Sequence, residues 1–156
     1  NYGEGKISQI EGLTRLGILT GAKPAEYRPG GKAVGRKLVD PHDSKMAIEP
    51  RVRSYWQANC AHCHVEAGGG NAKMELEWNR ALVDTRTIDI EPVHTRFGLG
   101  PSARIISPGY PANSVMLRRI ISPGPGRMPP IGAASPDPRW IQLFSQWISA
   151  LKPADK

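Results

Sequence analysis

The sequence predicts an all-α architecture: a mainly helical domain with long Gly/Pro-rich loops and an N-terminal extension. Apolar residues recur at steps of three and four in short, separated stretches, the spacing that places them on one face of a helix. The 156 residues include 17 Gly and 15 Pro. Ordinary chains carry roughly 12% of the two together, so much of the backbone between those stretches must be irregular. No apolar run exceeds four residues even when Gly is counted, as at Leu16–Leu19. A membrane-spanning helix needs ~20, and an uncleaved signal peptide is excluded on the same ground.

Each element has its own local reason. In the extension, residues 1–48, Ile7, Ile10, Leu13, Leu16 and Leu19 share one face of a helix from Lys6 to Leu19, and Gly21 is placed to end it in a left-handed cap. Lys23 to Asp43 mixes Pro, Gly, Lys and Arg without a period and reads as a linker. The domain proper, 49–156, opens with a helix announced by Glu49 and Pro50, because a proline in the first turn forfeits no intrahelical hydrogen bond. Val52, Tyr55, Trp56, Asn59, Cys60 and Cys63 then form one stripe. Residues 65–81, with their Gly run, are expected as loop, and Leu82 to Ile90 as a short extended stretch on the alternation of Ile88 and Ile90. Asn113 is expected to cap a helix running through Ile121. Residues 122–136 hold too much proline and glycine for regular structure. Asp137 as cap, with Pro138 behind it, opens a last helix whose broad apolar face includes Trp140, Phe144, Trp147 and Ile148.

The charge balance, 21 Lys+Arg against 14 Asp+Glu for a net +7, brings nucleic acid into consideration. The charges are scattered, however, and no five-residue block is wholly basic, so no nucleic-acid partner is expected. Between Pro92 and Pro136 there is no acidic residue, while Arg96, Arg104, Arg118, Arg119 and Arg127 all fall there. Without a cofactor that stretch is simply a solvated basic face.

Two cysteines, three positions apart, are too few and too close for a disulfide scaffold. They belong to Cys60-Ala61-His62-Cys63-His64, and C-x-x-C-H is the attachment pattern of c-type haem. The spacing carries the chemistry. Two thiols three apart on a helical turn point the same way and can each add to one vinyl group of a porphyrin. The imidazole after the second thiol is then carried beneath the ring to ligate iron. A covalent tether also holds the haem whatever the size of the core, which suits a chain poor in apolar residues. A zinc site is the alternative, but His42 and His94 lie far apart and no second Cys pair exists. A redox thiol pair would need a βαβ setting.

The sixth ligand of an electron-transfer haem is His or Met. Met46 lies in the linker, Met74 only ten residues past His64, and Met116 at a core position of its helix. Met128 sits in Gly126-Arg127-Met128-Pro129-Pro130, where prolines fix the backbone and hold a thioether in place. Met128 is therefore favoured, with Met74, Met116, His94 and His42 as alternatives. His62 is expected at the surface.

These residues resemble a monohaem class I cytochrome c: a C-x-x-C-H motif closing an N-terminal helix, a Met-Pro loop some sixty residues on, and a closing helix. "RSYWQANCAHCH", "ISPGYPANSVMLRRI" and "RMPPIG" followed by a Trp-rich helix are similar to the cytochrome c modules of secreted bacterial oxidoreductases. Such modules often lie at the C-terminal end of larger proteins, including quinone-cofactor sugar dehydrogenases. The resemblance covers about residues 51–151. It implies a cytochrome c-like fold, one haem c on Cys60 and Cys63, His64 as proximal and Met128 as distal iron ligand, and one-electron transfer without substrate oxidation by this chain. It also implies that Val52, Tyr55 and Trp56 pack against Ile141, Phe144 and Trp147, with Trp56 counted among the haem-binding residues.

Haem c is attached outside the cytoplasm, so a periplasmic or extracellular location after removal of an export signal is expected. The expected partners are redox proteins, such as a dehydrogenase or a terminal acceptor, with an acidic docking face. Arg127, beside the proposed ligand, and Arg104, before the "IISPG" turn, are the candidates to pair with the haem propionates, because a planar guanidinium keeps its charge when desolvated. Arg96, Arg118 and Arg119 would then steer the partner. Two alternatives share the cofactor: a haem enzyme with an open sixth position, and the electron-accepting subunit of a periplasmic dehydrogenase complex.

Overall fold

The computed structural model describes residues 9–20, 38–132 and 135–153. The chain divides into two compact units, Asn1–Lys37 and Leu38–Lys156. In the first, helix α1 spans Gln9–Arg15 and stops earlier than its apolar spacing suggests. Gly17, at φ +68°, supplies the left-handed residue. Its N–H donates to the Thr14 carbonyl (3.0 Å), and the Ile18 N–H donates to the Leu13 carbonyl (3.0 Å). This reciprocal pair satisfies two carbonyls of the last turn and closes the helix. Gly21, where the end was expected, lies outside the described residues, as does most of the linker.

The second unit carries α2 (Ile48–Asn59), a 3₁₀ turn at Val83–Thr85, another at Pro111–Asn113, α3 (Val115–Ile121) and α4 (Pro138–Ala150). Among the described residues there is no strand, only isolated parallel bridges between Ile88 and Ile106 and between Arg104 and Ser114. The extended stretch expected over Leu82 to Ile90 is therefore not formed. Arg86 and Asp89 both take positive φ, 53° and 54°, a conformation that no strand accommodates.

Local chemistry explains the helix starts. α2 begins at Ile48, so Pro50 occupies its third position, where the missing N–H has no intrahelical partner to lose. α3 starts one residue later than expected. Ser114 is its N-cap residue but makes no side-chain cap bond: its hydroxyl accepts from the Ser107 N–H (2.9 Å) and donates to the Tyr110 carbonyl (3.1 Å), while Asn113 closes the preceding 3₁₀ turn. α4 follows its expectation closely. Asp137 Oδ1 accepts from the N–H groups of Arg139 (2.9 Å) and Trp140 (3.2 Å), and Pro138 opens the first turn.

The core lies where α2 and α3 pack against α4. Trp56 is wholly buried and meets Phe144 and Trp147 edge-on, with ring centroids 5.9 and 5.4 Å apart. Trp140, Phe144 and Trp147 stack along one side of α4 at three- and four-residue steps, and Tyr55 lies flat on Trp140 at 4.0 Å. Each such pair adds ~0.5–1.5 kcal/mol beyond the area it buries. Arg53, 5% exposed, reaches out of α2 to the carbonyls of Glu77 (3.1 Å) and Arg80 (2.6 Å) and so fastens the loop that returns after the cysteines.

Candidate functional site

Helix α2 ends at Asn59, and the chain continues in one further helical turn. Cys60 N–H and Ala61 N–H both donate to the Trp56 carbonyl (2.8 and 2.9 Å), and Cys63 N–H and His64 N–H both donate to the Cys60 carbonyl (3.1 and 3.0 Å). The turn places the two cysteines and His64 along one cavity of about 710 Å³, well within the ~300–1,000 Å³ of ligand sites. Both cysteines are free thiols. Burial, and then the neighbouring Cys63, push the Cys60 thiol up to about 12, so it is held protonated.

The loop after the motif folds tightly back on it. Gly70 N–H donates to the Cys63 carbonyl (2.9 Å), and Leu76 N–H to the His64 carbonyl (2.8 Å). A β-carbon at Gly70 would lie 2.8 Å from His64 Nδ1, and one at Gly68 only 2.4 Å from the Cys63 carbonyl oxygen. Gly68 and Gly70 are thus explained by close approach rather than by turn formation alone. His64 Nδ1 is buried with no hydrogen-bond partner, and the imidazole is held below its usual range by burial first, then by Arg119 and His62. A neutral buried imidazole is the form that ligates a metal.

The opposite loop enters the same cavity. Arg127, Met128, Pro129 and Pro130 all line it, so the structure brings Cys60, Cys63, His64, Met128 and Arg127 to a single space. Met74, Met116 and His94 line it as well, whereas Met46 and His42 do not. His62 is exposed, as expected, and also borders the cavity. Trp56 belongs to the core and is not among the lining residues; Tyr55, one position earlier, and Trp140 form the wall there. Arg104 also stands apart from the cavity lining. Its Nε lies 3.5 Å from Asp89, its Nη1 3.9 Å from Glu91, and it donates to the Ala103 carbonyl (3.1 Å).

Arg119, read from the sequence as a steering residue, instead lines the cavity. Among the described residues no carboxylate lies within ion-pair distance of it, and partial burial lowers its pKa. A guanidinium in this setting suits a ligand that brings its own carboxylate. Arg96, also read as steering, is held by Glu91 at 3.1 Å, one position outside the acid-free stretch.

The residues fit a covalently bound haem. Two unpaired thiols on one turn, a neutral buried imidazole, a thioether loop and an unneutralised guanidinium border one cavity large enough for a macrocycle. Among the described residues no three His, Cys, Asp or Glu side chains converge as a tetrahedral zinc site requires. Comparison of the chain with protein-family models, curated proteins and solved structures gives no match.

Proposed function

We propose that the 38–156 unit is a c-type cytochrome domain that accepts one electron from a reduced protein partner and passes it to another. One observation carries the reading: Cys60, Cys63, His64 and Met128 line the same cavity, though the cysteines, on the turn that continues α2, and the methionine, in its loop, lie some sixty residues apart. Haem c, when bound, supplies an iron that cycles between ferric and ferrous forms. Cys60 and Cys63 would hold it through thioether bonds, His64 and Met128 would ligate its iron, and Arg127 would meet its carboxylates. Sulfur ligation would favour the ferrous state and raise the potential. The Tyr55–Trp140 wall and the apolar lining would shield the group from water.

The reading places the chain in the periplasm or outside the cell, where haem is attached to thiols, and gives it a redox partner with an acidic docking face. The electron-accepting subunit of a dehydrogenase complex is one form of the same function. The test is an absorption spectrum of the purified protein, oxidised and reduced, followed by acid–organic extraction. Haem that stays with the polypeptide supports the proposal; colourless protein, or haem that leaves with the solvent, refutes it. A near-infrared sulfur-to-iron band in the ferric protein, absent from Met128→Ala, identifies Met128, and survival of the band in that variant transfers the role to Met74 or Met116.

A further inference from the structure

Met128 lies in a loop with no regular structure, yet one residue of α3 holds that loop at two points. The Arg119 carbonyl accepts from the Met128 N–H (3.0 Å), and Arg119 Nε donates to the Gly126 carbonyl (2.9 Å). The guanidinium lies over the Phe97 ring, 5.4 Å from its centroid. Phe97 in turn presses on the loop: a β-carbon at Gly126 would sit 2.7 Å from Phe97 Cε1. Gly126 has φ +84°, a second reason why no other residue fits there. Phe97 itself has φ +51°, uncommon for a bulky residue. Arg119 belongs to a helix anchored in the core by Val115, Met116, Leu117 and Ile120.

We infer that Arg119, Phe97 and Gly126 form a clamp that positions Met128, fixing the thioether at the cavity wall through contacts that do not involve the thioether itself. The inference rests on the proposed haem site for its functional consequence, but the clamp is a property of the polypeptide. Loop closure then costs little when the thioether meets its ligand, because the backbone is already ordered. The guanidinium and the ring act together. A cation over an aromatic face gains ~0.5–2 kcal/mol as water is excluded, and the same guanidinium satisfies a carbonyl that no helix or strand would otherwise serve. Arg119 is on this view a positioning residue whose effect reaches the iron through Met128.

Two measurements on the purified full chain test it. Hydrogen exchange, read by mass spectrometry over residues 124–130, reports the clamp whether or not haem is attached. Arg119→Gln and Gly126→Ala should each speed exchange of the Met128 amide at least tenfold, while Arg139→Gln, which makes the same charge change at an exposed site on α4, should not. The second measurement is the rate at which imidazole displaces the methionine in the ferric haem protein, which loop opening limits. It should rise about tenfold or more in both variants, with the sulfur-to-iron band retained before imidazole is added. Phe97→Leu, which keeps apolar bulk but removes the ring face, should show a smaller rise in both. Unchanged exchange at Met128 in Arg119→Gln overturns the clamp. So does faster exchange spread evenly over the whole unit, which marks a general loss of stability. If the protein carries no haem, the proposed function fails while the exchange data still decide the clamp.

Discussion

Asp137 joins the last helix to the cavity wall, and removing its carboxylate should cost about 2 kcal/mol. Its Oδ1 accepts from the Arg139 and Trp140 N–H groups at 2.9 and 3.2 Å, and loss of such a cap costs ~1 kcal/mol. The carboxylate charge also favours the protonated form of the Tyr55 phenol, whose ring is stacked on Trp140. At the partial exposure of Tyr55 a charge contact of this kind contributes up to ~1 kcal/mol. For a unit of this size each kcal/mol moves the melting temperature by ~4 °C. Asp137→Ala should therefore lower it by about 8 °C. Asp137→Asn, which caps about as well as Asp, should lose less than half of that. A double-mutant cycle with Tyr55→Phe isolates the side-chain pair and should return a coupling of ~1 kcal/mol.

The same pair sets an alkaline signature. Burial first, and then the charges of Asp137 and Cys60, push the Tyr55 phenol from 10.0 up to about 12. The folded chain thus keeps a proton that the unfolded chain releases above pH 10. The stabilisation from this group is complete below that pH and is lost as pH rises towards 12. In Asp137→Ala burial persists, so the window should narrow from its upper end without closing, and in Tyr55→Phe it should vanish. Chemical denaturation at stepped pH measures the slope. Equal losses in the Ala and Asn variants, or an alkaline slope unchanged in Tyr55→Phe, would refute the account of Asp137 as both cap and partner.

Three further outcomes are expected. In chain produced without haem attachment, the Cys60 thiol, pushed up to about 12 by burial and Cys63, should alkylate at pH 8 at least ~100-fold more slowly than an unstructured cysteine peptide, and in the haem-bearing protein neither cysteine should alkylate even when denatured. Gly70→Ala places a methyl group 2.8 Å from His64 Nδ1 and 2.9 Å from the Cys63 carbonyl oxygen, an overpacking that should cost ~1–3 kcal/mol by urea titration and lower the fraction of protein recovered with haem. Trp56→Ala, at a wholly buried site touching Phe144 and Trp147, should cost ~3–5 kcal/mol.

What could be read from the sequence was decided locally. Asp137 and Pro138 announce α4 because a cap and a first-turn proline act within one turn, and the C-x-x-C-H motif declares itself through spacing alone. The end of α1 was less legible: Gly17 and Gly21 both suit a left-handed cap, and the reciprocal bonds of Thr14 and Leu13 select the first. The helix begins after Ser114 rather than Asn113 because Asn113 closes the preceding 3₁₀ turn, and the Ser114 hydroxyl is spent on Ser107, seven residues away, instead of on a cap. The alternation of Ile88 and Ile90 suggested a strand, but left-handed Arg86 and Asp89 break it. At the site, its prolines single out Met128, which lines the cavity with Met74 and Met116. The roles of Tyr55, Trp140 and Arg119 were not legible, because each depends on an element distant in sequence.

The basic excess of the chain takes on a different meaning in this light. A domain with so much glycine and proline leaves many carbonyl groups outside helices, and each buried one needs a donor. Long cationic side chains from ordered elements supply several of them. Arg51 Nε reaches the Pro41 carbonyl (2.8 Å), Arg53 the carbonyls of Glu77 and Arg80, and Arg119 that of Gly126. Each joins a helix to a loop that has no secondary structure of its own. Guanidinium suits the task because its planar set of donors holds its geometry and its charge when partly desolvated. Two of those loops, after the cysteines and before Met128, carry residues of the cavity wall. The arginines that a charge count would assign to an external partner are therefore in part internal struts. An arginine-to-lysine exchange at Arg53, which retains the charge but loses the fork, should loosen the 77–80 loop and speed its amide exchange, while the same exchange at exposed Arg139 should leave exchange unaltered; equal behaviour of the two would return the arginines to a purely electrostatic role.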